Sequence, residues 1–257
     1  MPAVFERISN RGSSVRIHSK SLLFCVALLP MPALAAPGTG PYVEIAAGGS
    51  WAENLNFKVT TNTGTVSKGL VATHKSGNDL SIALGQDFGL IRIEAELSQR
   101  ETPVGTLTAP ATAKIPIGYV KGATTPVLTN GTFSALSGTT RSRSAMINAY
   151  AQYNLPGDTR VFIGGGIGYD RTYAHAYAAK TASTVLVSTS EVVRDHDDGL
   201  AWQGIIGARE PIGDHVTIGL RYRYYHARYV GVTDTLNRGL VGKLSMQSVQ
   251  ATLGYRF

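Results

Sequence analysis

His226, within "YYHARY" (224–229), is the first residue whose type invites chemistry. A hydrolase needs a nucleophile, a base and an orienting acid within hydrogen-bond reach of one another. No serine lies two residues from His226; its neighbours are Tyr224, Tyr225, Ala227 and Arg228. A histidine so placed reads as an interface residue, not a base. The run "DHDD" (195–198), with His175 upstream, holds side chains that suit several metals, but a charged run of this kind reads as a solvated loop tip. "GGGIG" (164–168) has neither the Lys-Ser/Thr nor the helix that a phosphate loop requires, and reads as small residues facing a crowded interior. No catalytic, cofactor-binding or metal-ligating residue is therefore expected, and no enzymatic activity.

The remaining charges say more through their spacing. Glu44, Arg92, Glu94, Glu96, Asp170, Arg209, Arg221, Arg223 and Arg256 each alternate with apolar neighbours. Nine charges of both signs on one face of successive strands point to a mutually paired network, since an unpaired buried charge is heavily penalised.

Strands must position them, because no segment carries a convincing 3.6-residue apolar stripe. Period-2 alternation recurs in eight segments of about ten residues, the length of a tilted membrane-spanning strand. They lie at about 42–51, 79–88, 90–100, 144–155, 160–173, 200–209, 215–229 and 245–257. Short and long connections alternate between them. "NLPGDT" (154–159) and "EPIGDH" (210–215) are tight turns, whereas about 52–78, 100–143, 174–199 and 230–244 are long loops. A compact soluble meander has no reason for that rhythm, but an outer-membrane barrel does. The expected fold is all-β: an eight-stranded antiparallel up-and-down transmembrane β-barrel, closed because an open edge in hydrocarbon would leave backbone groups unpaired. The apolar set then faces lipid and the nine charges face a lumen that side chains just fill. A soluble barrel with the faces reversed is the alternative.

The aromatic residues favour the membrane. Trp51, Tyr169, Tyr222 and Tyr224 fall toward the long-loop ends of their segments and Tyr153 toward the short-turn end, as interface girdles do. The final stretch, "ATLGYRF", alternates Leu253, Tyr255 and Phe257 with Thr252, Gly254 and Arg256, so its last residue is still part of a wall.

Composition agrees. Of 257 residues 43% are hydrophobic and only 16% charged, against about 25% charged in soluble domains. Mean hydropathy is nevertheless +0.01, and no apolar run after residue 36 is long enough for a membrane helix. The first 35 residues read as a secretory signal: Arg7, Arg11, Arg16 and Lys20 precede an apolar stretch ending in Ala33-Leu34-Ala35, with cleavage expected after Ala35 or Ala36. The single domain would occupy 36–257. The only cysteine, Cys25, would leave with the leader. So would four of the 24 Lys+Arg and one of the 17 Asp+Glu, leaving +4, too mild for nucleic-acid binding.

Several stretches together resemble the small outer-membrane β-barrel proteins related to the opacity proteins. They are "PYVEIAAGGSW", "RIEAELSQR", "SAMINAYAQYNL", "VFIGGGIGYDR", "GLAWQGIIGAREPI", "VTIGLRYRYYHA" and "SVQATLGYRF". The resemblance implies an integral outer-membrane barrel with periplasmic termini. It also implies a last strand, with Leu253, Tyr255 and Phe257, that is read by the barrel-assembly machinery. Expected partners are outer-membrane lipid and lipopolysaccharide, that machinery, and a host or cell-surface ligand at the loops. The family includes surface antigens and adhesins, which implies a structural or surface-recognition role. A narrow porin-like channel and a lipid A-modifying enzyme are the alternatives.

Overall fold

The computed structural model describes residues 39–61, 64–179 and 186–257. The expected leader, 1–35, lies outside them. Strand β1 (Gly40–Ala52) is followed by a hairpin, β2 (Leu55–Thr61) and β3 (Gly64–His74), and then by β4 (Gly77–Asp87) and β5 (Ile91–Ala109). A 3₁₀ turn (Ala111–Ala113), β6 (Ile115–Val120) and β7 (Val127–Thr129) form an excursion before β8 (Gly131–Asn154) and β9 (Arg160–Ala179). The short β10 (Leu186–Glu191) precedes β11 (Asp195–Ile212), β12 (Val216–Thr233) and β13 (Gly239–Arg256).

Eight of these strands make a ring in the order β1-β4-β5-β8-β9-β11-β12-β13, every neighbouring pair antiparallel. The ring closes where β13 returns to β1, from Tyr42 opposite Arg256 to Ala52 opposite Met246. Closure leaves no open edge along this height. The eight alternating segments are thus the eight wall strands.

The strands run well past the length the alternation suggested. β8 alone has 24 residues, which at a tilt of about 40° gives a height of roughly 60 Å, against an apolar band of about 25 Å in such barrels. Stretches expected to be loops, 52–78, 100–143 and 230–244, are largely strand. The β2–β3 hairpin continues the wall above β1 and β4, with β2 on β13 and β3 on β5. β10 pairs with β6, and β6 with β7, so that these three short strands extend from the end of β9. "STVLVSTSEVV" (183–193), within the stretch expected as the long loop 174–199, holds β10, which meets the end of β9 through Ser190 and Glu191; residues 183–185 lie outside the described ones.

The two heights have opposite interiors. Below, Ile45, Ile82, Leu97, Ile147, Ile163, Ile206, Leu220 and Leu253 point outward and are about half exposed or more, while charges point inward. Above, inward-facing Leu55, Phe57, Val59, Leu70, Leu107, Val232, Leu240 and Leu244 join Ile115, Ile117 and Val192 in a buried apolar core. Ala113 ahead of β6 and Ile115 and Ile117 on it belong to this core.

Candidate functional site

The lower interior holds a dense polar constellation. Six carboxylates (Glu44, Asp79, Asp87, Glu94, Glu96 and Asp170) and five guanidiniums (Arg92, Arg100, Arg209, Arg221 and Arg223) are buried there among the described residues. Alternation on β1, β4, β5, β9, β11 and β12 aims them all inward. The near balance of sign lets most of these charges pair with an opposite one, and hydroxyl donors hold Asp170, the condition for holding ions in a dry interior.

Glu96 is the hub. Its Oε2 accepts from Arg223 Nη2 at 2.6 Å and from Arg221 Nη2 at 3.1 Å. Arg221 Nη1 also reaches Glu44 Oε1 at 3.3 Å, and Arg92 Nη1 meets the other oxygen of Glu44 at 3.5 Å. Asp79 takes Arg100 at 3.3 Å and Arg223 at 3.4 Å, and accepts from Ser248 Oγ at 2.6 Å. Glu94 is held mainly by neutral donors: Tyr42 Oη at 2.7 Å, Tyr150 Oη at 2.5 Å and Asn148 Nδ2 at 3.0 Å. Toward the short turns Asp87 pairs with Arg209, and with Arg160 at 3.4 Å. Toward the extension Asp170 accepts from Ser142 and Thr172.

Aromatic faces complete the packing. Arg92 Nε and Nη2 meet no acceptor among the described residues, but the guanidinium lies 4.3 Å from the Tyr150 ring centre and 4.7 Å from that of Phe162. Arg100 sits 3.9 Å from Tyr225. Such faces attract a desolvated cation. The "GGGIG" run makes room for these side chains: a Cβ on Gly166 would fall 1.8 Å from Asn148 Oδ1, and one on Gly164 2.5 Å from Tyr150 Cδ1.

Of the nine charges expected in the lumen, Glu44, Arg92, Glu94, Glu96, Asp170, Arg209, Arg221 and Arg223 are buried and inward. Arg256 is only partly buried, at the short-turn rim. Asp79, Asp87 and Arg100 were missed. Their signal was parity: Asp79 and Asp87 keep step with Ser81, and Arg100 with Arg92 to Ser98. Trp51, Tyr153, Tyr169, Tyr222 and Tyr224 all lie on the outer face, with Tyr222 Oη and Trp51 Nε1 both donating to Gln247 Oε1 (2.9 and 3.4 Å). Leu253, Tyr255 and Phe257 are outward and exposed, and Phe257 N donates to Pro41 O at 3.1 Å.

His226 has a neighbour that local sequence could not show. Ser245 Oγ, opposite it on β13, is 3.0 Å from His226 Nδ1. Trp202 leans on the imidazole with centroids 5.6 Å apart. No carboxylate hydrogen-bonds this histidine among the described residues, so a base and a nucleophile meet without an orienting acid. Asp195 and Asp197 of "DHDD" accept from the backbone N–H of Thr233 (2.8 Å) and Gly231 (2.6 Å), while Asp198 pairs with Arg171. These aspartates fasten β11 to its neighbours. The side chain of His175 is outside the described set.

The family "Outer membrane protein beta-barrel domain" matches residues 21–257. No curated protein matches the chain. Among solved structures, Neisserial surface protein A aligns at 13% identity and TM-score 0.48, over 85% of this chain and 97% of its own. The outer membrane protease OmpT from Escherichia coli aligns at 9% identity and TM-score 0.46, over 88% and 99%. Ail, the attachment invasion locus protein of Yersinia pestis, in complex with the heparin analogue sucrose octasulfate, aligns at 10% and 0.35, over 85% and 99%. Likenesses this distant say nothing of activity.

Proposed function

Since the chain belongs to the outer membrane protein beta-barrel domain family and is an integral protein of the outer membrane, we propose that it is a non-conducting, non-enzymatic barrel that acts in surface recognition through its extension. The filled interior carries this reading. Paired charges occupy the lumen at membrane height and an apolar core occupies it above. A channel needs a wetted path, and an eight-stranded barrel with large inward side chains leaves little room for one. A wall that only had to span the membrane would end near the aromatic girdle. This one continues as an ordered extension, with its own core, on the side we assign to the cell exterior. On the same reading, the leader directs export and Leu253, Tyr255 and Phe257 serve recognition by the assembly machinery.

The test displays the full chain on cells that do not otherwise adhere and scores their attachment to host-cell monolayers and immobilised glycosaminoglycan. Replacing residues 114–129 with a Gly/Ser linker should abolish attachment while the barrel keeps its heat-dependent gel mobility. No attachment by the parent chain on any of these surfaces would overturn the recognition role.

A second reading has one observation behind it. The 3.0 Å contact between Ser245 and His226 places a nucleophile beside a base on the lipid-facing side, as a lipid A-modifying hydrolase would require. Without an acid on the imidazole we expect His226→Ala to leave the lipid A profile of expressing cells unchanged. A changed profile would instead favour the enzyme.

A further inference from the structure

The outer wall is not uniform around the ring. Across β4, β5, β8 and β9 it holds a groove of about 660 Å³. Leu80, Ile82, Leu97 and Ala145 form its apolar floor, and Tyr169 and Tyr173 stand at one side. Across its upper margin runs a rung of outward residues in register: Gln99 opposite Arg143, and Arg143 opposite Arg171.

The height of that rung is fixed by the strand. Arg143 and Tyr153 both point outward on β8, about ten residues apart, which at the tilt of such barrels is roughly 25 Å along the axis. Tyr153 belongs to the girdle at the short turns. Arg143 therefore stands at the opposite margin of the apolar band, at the level of lipid headgroups.

The cations there are not equivalent. Arg141 pairs with Glu101 at 2.8 Å. Arg171 is held by Asp198, Nη2 to Oδ2 at 2.8 Å. Arg143 has no carboxylate partner among the described residues. Its Nε donates to Gln99 Oε1 at 2.8 Å and its guanidinium lies 5.8 Å from the Tyr173 ring centre. One edge of the fork is thus fixed, and neither Nη group is hydrogen-bonded among the described residues. Three guanidiniums face two carboxylates, and the surplus positive charge is that of Arg143.

From this arrangement we infer that the groove binds a phosphate-bearing lipid with several acyl chains, its phosphate on Arg143 and its chains on the floor below. An arginine fork suits the paired oxygens of a phosphate. Three inter-strand spacings of about 4.8 Å make the floor roughly 14 Å wide, enough for two or more chains side by side. The membrane level of the site selects a lipid over a soluble anion or a protein partner. The inference does not depend on the surface-recognition reading.

The probe is bis-phosphorylated lipid A, titrated into the full mature chain in neutral-detergent micelles and followed by native mass spectrometry. Arg143→Gln should weaken binding at least about tenfold, the loss expected for a charge-assisted hydrogen bond. Arg143→Lys should retain part of the affinity. Lipid A stripped of its phosphates should bind weakly, and alike to parent and variant. Heat-dependent gel mobility confirms that the outward substitution leaves the barrel folded; should Arg143→Gln fail it, the Arg143→Lys comparison stands alone, with a several-fold loss expected. Unchanged affinity in the folded variant would overturn the inference. So would equal binding of the dephosphorylated lipid, displacement by inorganic phosphate, or no binding by the parent chain.

Discussion

β13 carries both interiors on one strand. Near the extension it turns Leu240, Leu244 and Met246 inward, and near the short turns it turns Ser248, Gln250 and Thr252 inward, its own even-numbered phase unbroken although its pairing with β12 shifts between Ala227 and Val230. Its outward residues are Gly239, Val241 and Lys243 near the extension, and Val249, Leu253 and Tyr255 near the short turns. Elsewhere the outer face of the extension carries threonine pairs across strands, such as Thr73 with Thr106 at 2.8 Å and Thr108 with Thr132 at 2.9 Å. Whatever surrounds the wall decides what fills it. Where lipid is outside, apolar burial is available on the outer face and the interior can hold paired ions. Where water is outside, the hydrophobic effect must be collected inside.

The two fillings should fail differently. Glu96→Gln removes the carboxylate shared by Arg221 and Arg223 and leaves buried guanidiniums short of counter-charge. We expect a loss of about 4 kcal/mol, the scale for breaking a buried pair, seen as a lower urea midpoint for the whole barrel. A midpoint within experimental error of the parent would mean that the lumen charges are solvated, and that the two regions do not differ in kind.

Phe57→Ala opens a cavity in the upper core, where Phe57 is fully buried. About 3 kcal/mol is expected, but confined to the extension. Hydrogen exchange should quicken in β2, β3 and the outer part of β5, and stay slow in β1 from Val43 to Ala47. Equal acceleration in both would show that the barrel opens as one cooperative unit.

The smallest effect concerns His74, in the extension, where Nε2 lies 3.0 Å from Thr140 Oγ1. Burial pulls its imidazole down to about 4, with the Glu53 backbone opposing. Above roughly pH 6.5 both folded and unfolded chains hold it neutral, and the stability is fully present. As pH falls from there toward 4 the unfolded chain takes up a proton that the folded one does not, so the extension loses stability, by about 2 kcal/mol once partial solvent access is allowed for. Exchange of the β3 amides at pH 7 and at pH 5 should reveal it, and His74→Leu should remove the pH dependence. An imidazole titrating near 6.5 in the folded protein would contradict the assignment.

What could be read from the sequence follows the same division. Glu44, Arg92, Glu94 and Glu96 stood out because each is flanked by residues that must face lipid, and alternation there is unbroken. The extension was hidden for two reasons. Its apolar residues point inward, so the sign of the pattern inverts partway along each strand. The phase also slips. On β5 the inward residues are even-numbered from Arg92 to Val104 and odd-numbered at Leu107 and Ala109, across a register shift between Pro103 and Thr106. On β12 they change from odd to even between Ala227 and Val230. One extra residue turns every later side chain to the other face, and a two-residue period read across that point fades. The contact of Ser245 with His226 was illegible for another reason: it depends on which residues of neighbouring strands fall opposite each other.

Recording single channels from the purified protein in planar bilayers tests the filled interior most directly. A filled lumen predicts a quiet membrane, with inserted protein demonstrated by its heat-dependent gel mobility on recovery, and no reproducible steps. Stable, uniform conductance steps from the parent chain would contradict it, because ions would then be passing the rung where Glu96 holds Arg221 and Arg223.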